Sequence, residues 1–167
     1  MTAKLVGGYM KRISAATSRL LVLLVVISSS PFTQTHAQDG RTVQLLAAAG
    51  NGETGNVRRL LDEGLNVNVR DEFGFTALMF AARSGSAPTV NLLLSRGADP
   101  NVRSKLMGYT ALINASASGS PEIVRALLAK GADVNARDDD GATALKFAEQ
   151  AGNPTVIRIL KERGAQK

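Results

Sequence analysis

The sequence predicts an all-α solenoid of four helix-turn-helix units, and three observations support this fold class. Leucines recur at spacings of 33, 34 and 33 residues, at Leu45, Leu78, Leu112 and Leu145. One set of glycines keeps these spacings, at Gly52, Gly85, Gly119 and Gly152. A second set does the same, at Gly64, Gly97, Gly131 and Gly164. Self-similarity at this period is typical of a repeat array in which each unit is one supersecondary element.

The first helix of a unit is best seen in residues 71–103. Gly74 allows a tight turn, and Thr76 stands where the helix would begin. An apolar stripe at helical spacing follows, made of Leu78, Ala81 and Ala82. Gly85 then ends this short helix.

The second helix of the same unit begins at Ser86 and Pro88, because Ser is a favoured cap and Pro is tolerated in the first turn. Val90, Leu93 and Leu94 are expected to face inward. Gly97 supplies the left-handed residue just past the helix end. Two helices of roughly ten residues would be marginal alone, so the units must stack to bury a continuous core.

The unit 71–103 contains DEFGFTALMFAARSG, then a paired leucine and GADPN. This pattern resembles the ankyrin repeat, which reads roughly D-x-x-G-x-T-P-L-H-x-A-A-x-x-G, then L-L and G-A-D-x-N. Related copies cover 104–137 and 138–167, and a degenerate first copy covers about 41–70. The family Pro is replaced by Ala77, Ala111 and Ala144, and the family His by Met79, Ile113 and Lys146. We therefore do not expect the polar bracing that this His usually gives between repeats.

The two ends of the array are atypical, as terminal repeats are expected to be. In the first copy Val43 stands where Thr76 does, and the predicted first helix runs over 44–50. In the last copy Lys161 replaces the second leucine of the pair. A charged residue there fits a repeat with nothing packed beyond it.

Residues 1–37 have the layout of a signal peptide, ahead of a repeat domain over 38–167. Four basic residues precede the apolar run 20–27, and Ala37 offers a small residue for cleavage. The run is too short to span a membrane, which needs about 20 residues. The alternatives are an uncleaved anchor or a buried helix, and Met10 is an alternative start. We expect a periplasmic or secreted protein with no stable membrane anchor after cleavage.

Cleavage after Ala37 changes the charge and the available chemistry. It leaves 16 basic and 14 acidic residues, a net charge of +2, which disfavours a nucleic-acid partner. It also removes His36, the single histidine, from a chain that has no cysteine. A Ser-His-Asp triad, a Cys nucleophile or a His-ligated metal site is then impossible. We expect no enzyme activity, no cofactor and no metal.

Family resemblance implies that partners meet the hairpin tips and the exposed side of the first helix of each unit. Carried over by position, the partner-binding residues are Glu72, Phe73, Phe75, Arg83, Leu106, Met107, Tyr109, Asp139 and Asp140. Aromatic and Met side chains are enriched in interface cores, and a contiguous exposed apolar patch usually has a function. The alternative is that Phe73 and Phe75 fold back onto their own hairpin and serve stability alone.

The resemblance therefore favours an exported, monomeric module that binds another protein, as a scaffold, an inhibitor or an immunity-type partner. One alternative is a binder of small molecules or cell-wall fragments. A less favoured one is a hydrolase that uses carboxylates alone. For that role Asp139 and Asp140 are adjacent on a turn, where no pocket is expected.

Overall fold

The computed structural model describes residues 31–166, and the chain divides into two compact units, 1–40 and 41–167. The helices of the described residues are α1 (Pro31–Gly50), α2 (Thr54–Asp62), α3 (Ala77–Ser84), α4 (Ala87–Ser95), α5 (Ala111–Ala117), α6 (Pro121–Ala129), α7 (Ala144–Gln150) and α8 (Pro154–Glu162). Between 31 and 166 no strand forms, only the isolated bridges Arg70–Thr76 and Arg137–Thr143. The prediction of an all-α helical-repeat fold is confirmed.

The helices of the larger unit pack in two layers. In one layer α5 contacts α3 and α7, and in the other α2, α4, α6 and α8 follow one another. Within a repeat the two layers are joined, α3 to α4, α5 to α6 and α7 to α8. The recurrent leucines are at most 2% exposed, at Leu45, Leu78, Leu112 and Leu145. The sequence period is therefore the period of one continuous core.

The N-terminal boundary of α1 differs from the prediction. The first helix was expected over 44–50, and it begins at Pro31 instead. The first copy lacks the turn and the Thr cap that start the later helices, and proline is favoured at a helix start. The predicted signal peptide lies mostly in residues 1–30, outside the described residues, and the predicted cleavage point after Ala37 falls within α1. Across 31–166, no helix combines the length and apolar character needed to cross a bilayer.

The helix starts use their hydroxyl residues in two ways. Thr76 Oγ1 accepts the N–H of Met79 at 3.4 Å, as an N-cap does. Ser86 stands at the N-cap of α4, but the expected capping bond is absent. Its hydroxyl donates to Thr89 Oγ1 at 2.9 Å, and Thr89 also bonds to Thr54 of the first repeat at 2.7 Å. The Thr89 side chain is fully buried and needs polar partners, which explains why Ser86 serves it rather than the helix end.

Candidate interaction site

Each hairpin tip is closed by one polar side chain. Asp71 Oδ1 accepts the N–H of Phe75 at 2.8 Å, and Asp138 Oδ1 accepts that of Ala142 at 2.7 Å. The third repeat has Ser104 in place of this aspartate, and its hydroxyl accepts the N–H of Tyr109 at 2.9 Å. The exceptional sequence of that tip thus keeps the same turn with a neutral side chain.

Neighbouring tips are joined by backbone hydrogen bonds. The carbonyl of Phe73 accepts the N–H of Lys105 at 2.8 Å, and that of Met107 accepts the N–H of Asp139 at 3.0 Å. A Cβ added at Gly74 would lie 2.8 Å from the nitrogen of Lys105, so this close approach requires glycine. The bonds fix the register of three successive tips and hold their side chains in one arrangement.

Met107 adopts an uncommon backbone conformation. Its φ is 72°, and it is the one described non-glycine residue in the left-handed region. It lies in the 34-residue unit, whose tip holds one extra residue. Its side chain is 51% exposed. Such a conformation costs an L-residue about 1–2 kcal/mol, and strain of this kind often marks functional positions.

The second and third tips enclose a groove of about 440 Å³, called the interaction groove below. Six of the nine predicted partner-binding residues line it, namely Phe73, Phe75, Arg83, Leu106, Met107 and Tyr109. The three with the most exposed apolar side chains are Phe73 at 49%, Leu106 at 48% and Met107 at 51%. Large apolar side chains from two repeats therefore lie along one opening.

The half-buried aromatic residues of the groove also pack against the core. The Phe75 ring lies 5.9 Å from that of Phe80, and the Tyr109 ring meets that of Phe147 edge-on at 5.6 Å. The alternative interpretation thus applies in part to Phe75, while Phe73 stays exposed. Replacing Tyr109 would remove core packing as well as groove surface, which makes it a poor choice for a binding test.

Arg83 is the basic residue of the groove. It is exposed, its guanidinium carbon lies 5.6 Å from the centre of the Phe80 ring, and no carboxylate among residues 40–166 pairs with it. A guanidinium in cation–π contact with a ring keeps N–H groups available for a carboxylate. With Asp71 and Phe80, Arg83 also lines a neighbouring hollow of about 430 Å³, called the first-repeat hollow, whose apolar wall includes Val43, Leu46 and Ala47.

Three predicted residues lie outside the groove. Glu72 is exposed on its tip. Asp139 pairs with Arg103 at 3.2 Å, so it braces two tips. Asp140 lines a separate hollow of about 380 Å³ with Lys146 and Glu149. Asp139 and Asp140 therefore do not line the groove that the apolar residues form. Within the described chain, no cluster of His, Cys, Asp or Glu has the arrangement of a metal site.

The sequence reasoning missed four groove residues: Asp71, Met79, Phe80 and Asn114. A usable signal existed for two of them, because Phe80 and Asn114 hold the same place in successive units, 34 residues apart. Phe80 also lies one helical turn before Arg83, where side chains share a face. Position within the repeat could therefore have placed both at the groove.

Comparisons with known proteins identify the repeat. A family model described as ankyrin repeats (3 copies) matches residues 13–104 and 102–167. The bovine mitochondrial disaggregase is 38% identical over 98 residues, which is 58% of this chain and 13% of that protein. The mouse 2-5A-dependent ribonuclease is 42% identical over 62 residues, 36% of this chain and 8% of its own length.

The human DNA-binding protein RFXANK is 38% identical over 84 residues, covering 44% of this chain and 32% of its own. The matched regions thus span between 8% and 32% of these three relatives. Similarity over such short regions concerns the repeats that the proteins share.

Proposed function

This chain belongs to the ankyrin repeat family, and on that premise we propose that it is an exported module that binds another protein in its interaction groove. Ankyrin repeats are typical protein-protein interaction modules, and the fold is generally a non-enzymatic scaffold. A fold does not by itself give a function, so the proposal rests on the site.

One observation carries the proposal: Phe73, Leu106 and Met107 are exposed together on two tips whose backbones are bonded to each other. Exposing large apolar side chains to water is unfavourable, and a partner that covers them recovers about 25 cal/mol per Å² of apolar surface. Because the tips are already bonded to each other, less conformational entropy is lost when a partner binds, and this favours affinity. A contiguous apolar patch of this kind marks an interaction surface.

Export is supported by the order of residues before the repeats. A basic stretch, the apolar run 20–27 and a small residue at Ala37 match the layout of a secretory leader. The repeats contain no cysteine, so the domain needs no particular redox state outside the cytoplasm. We propose a periplasmic or secreted location for the mature domain, acting as a monomer.

Affinity capture tests the binding proposal. The full chain with a C-terminal tag would be expressed in its source cells, and captured proteins would be quantified by mass spectrometry. Phe73→Ala with Leu106→Ala should lose at least nine tenths of a specific partner, because both side chains are exposed in the groove. The matched control is Asn91→Ala with Arg125→Ala, exposed on the outer helices α4 and α6.

Both double variants should keep the helical circular dichroism and urea midpoint of the parent. Equal recovery of every partner by the groove variant and the parent would contradict the proposed site. Immunoblotting of cell fractions tests export separately, and a full-length product confined to the cytoplasm would contradict it.

A small apolar molecule is the second candidate occupant. The groove volume of about 440 Å³ lies within the range of roughly 300–1,000 Å³ typical of small-molecule sites, and most of its lining is apolar. Native mass spectrometry of the purified protein would detect a bound compound as a discrete added mass. Loss of that mass in the Phe73 and Leu106 double variant would favour this candidate.

A further inference from the structure

We propose that Arg83 selects an acidic side chain on the partner, and that the partner presents this residue between two apolar anchors. The inference rests on the proposed function, because it assigns a recognition chemistry to the same groove. It depends on three features: the free guanidinium, the engaged carboxylate beside it, and the apolar surfaces on both sides.

The guanidinium of Arg83 is held beside an aromatic ring and forms no ion pair with the side chains that the structure describes. It lies 5.6 Å from the centre of the Phe80 ring, and none of the ion pairs formed between residues 40 and 166 includes it. A cation–π contact of this kind holds the guanidinium near the ring and leaves its N–H groups available for bonding to a ligand. A carboxylate forms a charge-assisted and often bidentate pair with arginine.

Asp71 is the other charged side chain that lines both the groove and the first-repeat hollow. Its Oδ1 is already engaged, since it accepts the Phe75 N–H at 2.8 Å inside its own hairpin. It contributes to the tip and makes no ion pair with Arg83 within 4.0 Å. The N–H groups of the Arg83 guanidinium are therefore left for a ligand.

The position of Arg83 determines where the acid must lie in the partner. Arg83 and Phe80 line both the interaction groove and the first-repeat hollow, so Arg83 lies between them. Leu106 and Met107 offer apolar surface on one side, and Val43 offers it on the other, 65% exposed. A partner segment that covers both apolar surfaces must cross Arg83 at the middle of its length. The carboxylate that pairs with Arg83 is therefore the side chain of an Asp or Glu within the segment, and not the carboxylate of a chain terminus.

Designed peptides test this recognition without knowledge of the natural partner. The probes are end-blocked, fluorescein-labelled peptides with Leu, a central Glu and Phe, separated by one to four Gly or Ser residues. Matched sets carry Gln or Lys in place of Glu. Binding to the full chain is measured by fluorescence anisotropy at low and at physiological salt.

The best Glu peptide should bind the parent about tenfold more tightly than its Gln counterpart, and this ratio should fall with salt. Arg83→Gln should bring the ratio close to one, and Arg83→Glu should favour the Lys peptide. The control Arg125→Gln, exposed on α6, should keep the parent ratio. Phe73→Ala should weaken the Glu and Gln peptides by the same factor.

Two results would overturn the inference and leave the proposed function standing. They are equal binding of Glu and Gln peptides to the parent, or a preference for Glu that survives Arg83→Gln, while Phe73→Ala still weakens binding. If no peptide binds at any of the spacings tested, the proposed recognition of two apolar anchors around an acidic residue is overturned. The capture experiment with Phe73 and Leu106 would decide the proposed function independently.

Discussion

The backbone N–H of Asp133 donates to the side chain of Asn101 in the preceding repeat, at 2.8 Å from Oδ1. At the same time Asn101 Nδ2 donates to the carbonyl of Gly131 at 2.9 Å. One amide thus satisfies both a donor and an acceptor of the chain segment that follows the outer helix. Asn68 and Asn135 make the equivalent bonds one repeat earlier and later.

Asn101→Ala should lower the free energy of unfolding by about 1–2 kcal/mol, because two hydrogen bonds between repeats are lost. Asn101→Asp should also destabilise, since it keeps an acceptor for Asp133 but places an oxygen against the carbonyl of Gly131. Urea denaturation followed by circular dichroism measures both. Asn135→Ala is the matched control and should lower the free energy of unfolding by less, because the Asn135 side chain bonds only to the chain end at Gly164 and Gln166. Equal costs at the two positions would contradict this account.

Met107→Gly should give a more stable protein than Met107→Ala, by about 1 kcal/mol. Both variants remove the exposed side chain, so they differ only in the Cβ atom, which is unfavourable at φ 72°. Thermal and urea unfolding of the pair measure the difference. A glycine variant no more stable than the alanine variant would show that the tip relaxes without cost.

Ser116→Ala should stabilise the protein, by up to about 1 kcal/mol. The Ser116 side chain is fully buried in α5, and its hydroxyl finds no hydrogen-bond partner in the described region. Burying an unpaired hydroxyl is costly, and Ala82 occupies the equivalent place in the preceding repeat.

Ser118→Ala is the contrasting control for this position. Its hydroxyl lies 3.1 Å from both the Ala82 and Ala115 carbonyls, so its loss should destabilise by about 1 kcal/mol. The two variants should therefore shift the urea midpoint in opposite directions. A lower midpoint for Ser116→Ala would mean that the hydroxyl has a stabilising role.

Glu53→Gln should reduce the loss of stability in acid. The side-chain amides of Asn56 and then Asn51 donate to this exposed carboxylate and lower its pKa below the ordinary value of 4.5. A lowered folded-state pKa gives a contribution that is present above the unfolded value and is lost as pH falls through the folded one.

Urea unfolding at pH 7 and pH 3 measures the effect of this change. The difference between the two pH values should be slightly smaller for Glu53→Gln than for the parent. Asn51→Ala with Asn56→Ala should reproduce that smaller difference, because it removes the donors rather than the acid. An unchanged difference in both variants would exclude these bonds as a source of acid sensitivity.

Much of the candidate site could be predicted from position within the repeat. The repeat register placed Phe73, Leu106 and Met107 on hairpin tips, and all three are exposed. It could not show that Tyr109 packs on Phe147, or that Asp139 is taken up by Arg103, because both contacts join different repeats. It also could not show that the Ser86 hydroxyl donates to Thr89 instead of capping the backbone of α4, because Thr89 is tied in turn to Thr54 of the first repeat.

The sequence by itself determined the fold class and the location of the core. Leucine recurs every 33 or 34 residues, and glycines recur at the predicted helix ends. Units of this length bury their apolar faces by stacking on the neighbouring units. Only the tertiary structure decided which tip residues share a groove, that Met107 takes a left-handed conformation and that Arg83 forms no ion pair with the described side chains. Helix formation depends on residues that are neighbours in the sequence. A binding surface combines side chains from different repeats, and the distances between those side chains cannot be read from a local sequence pattern.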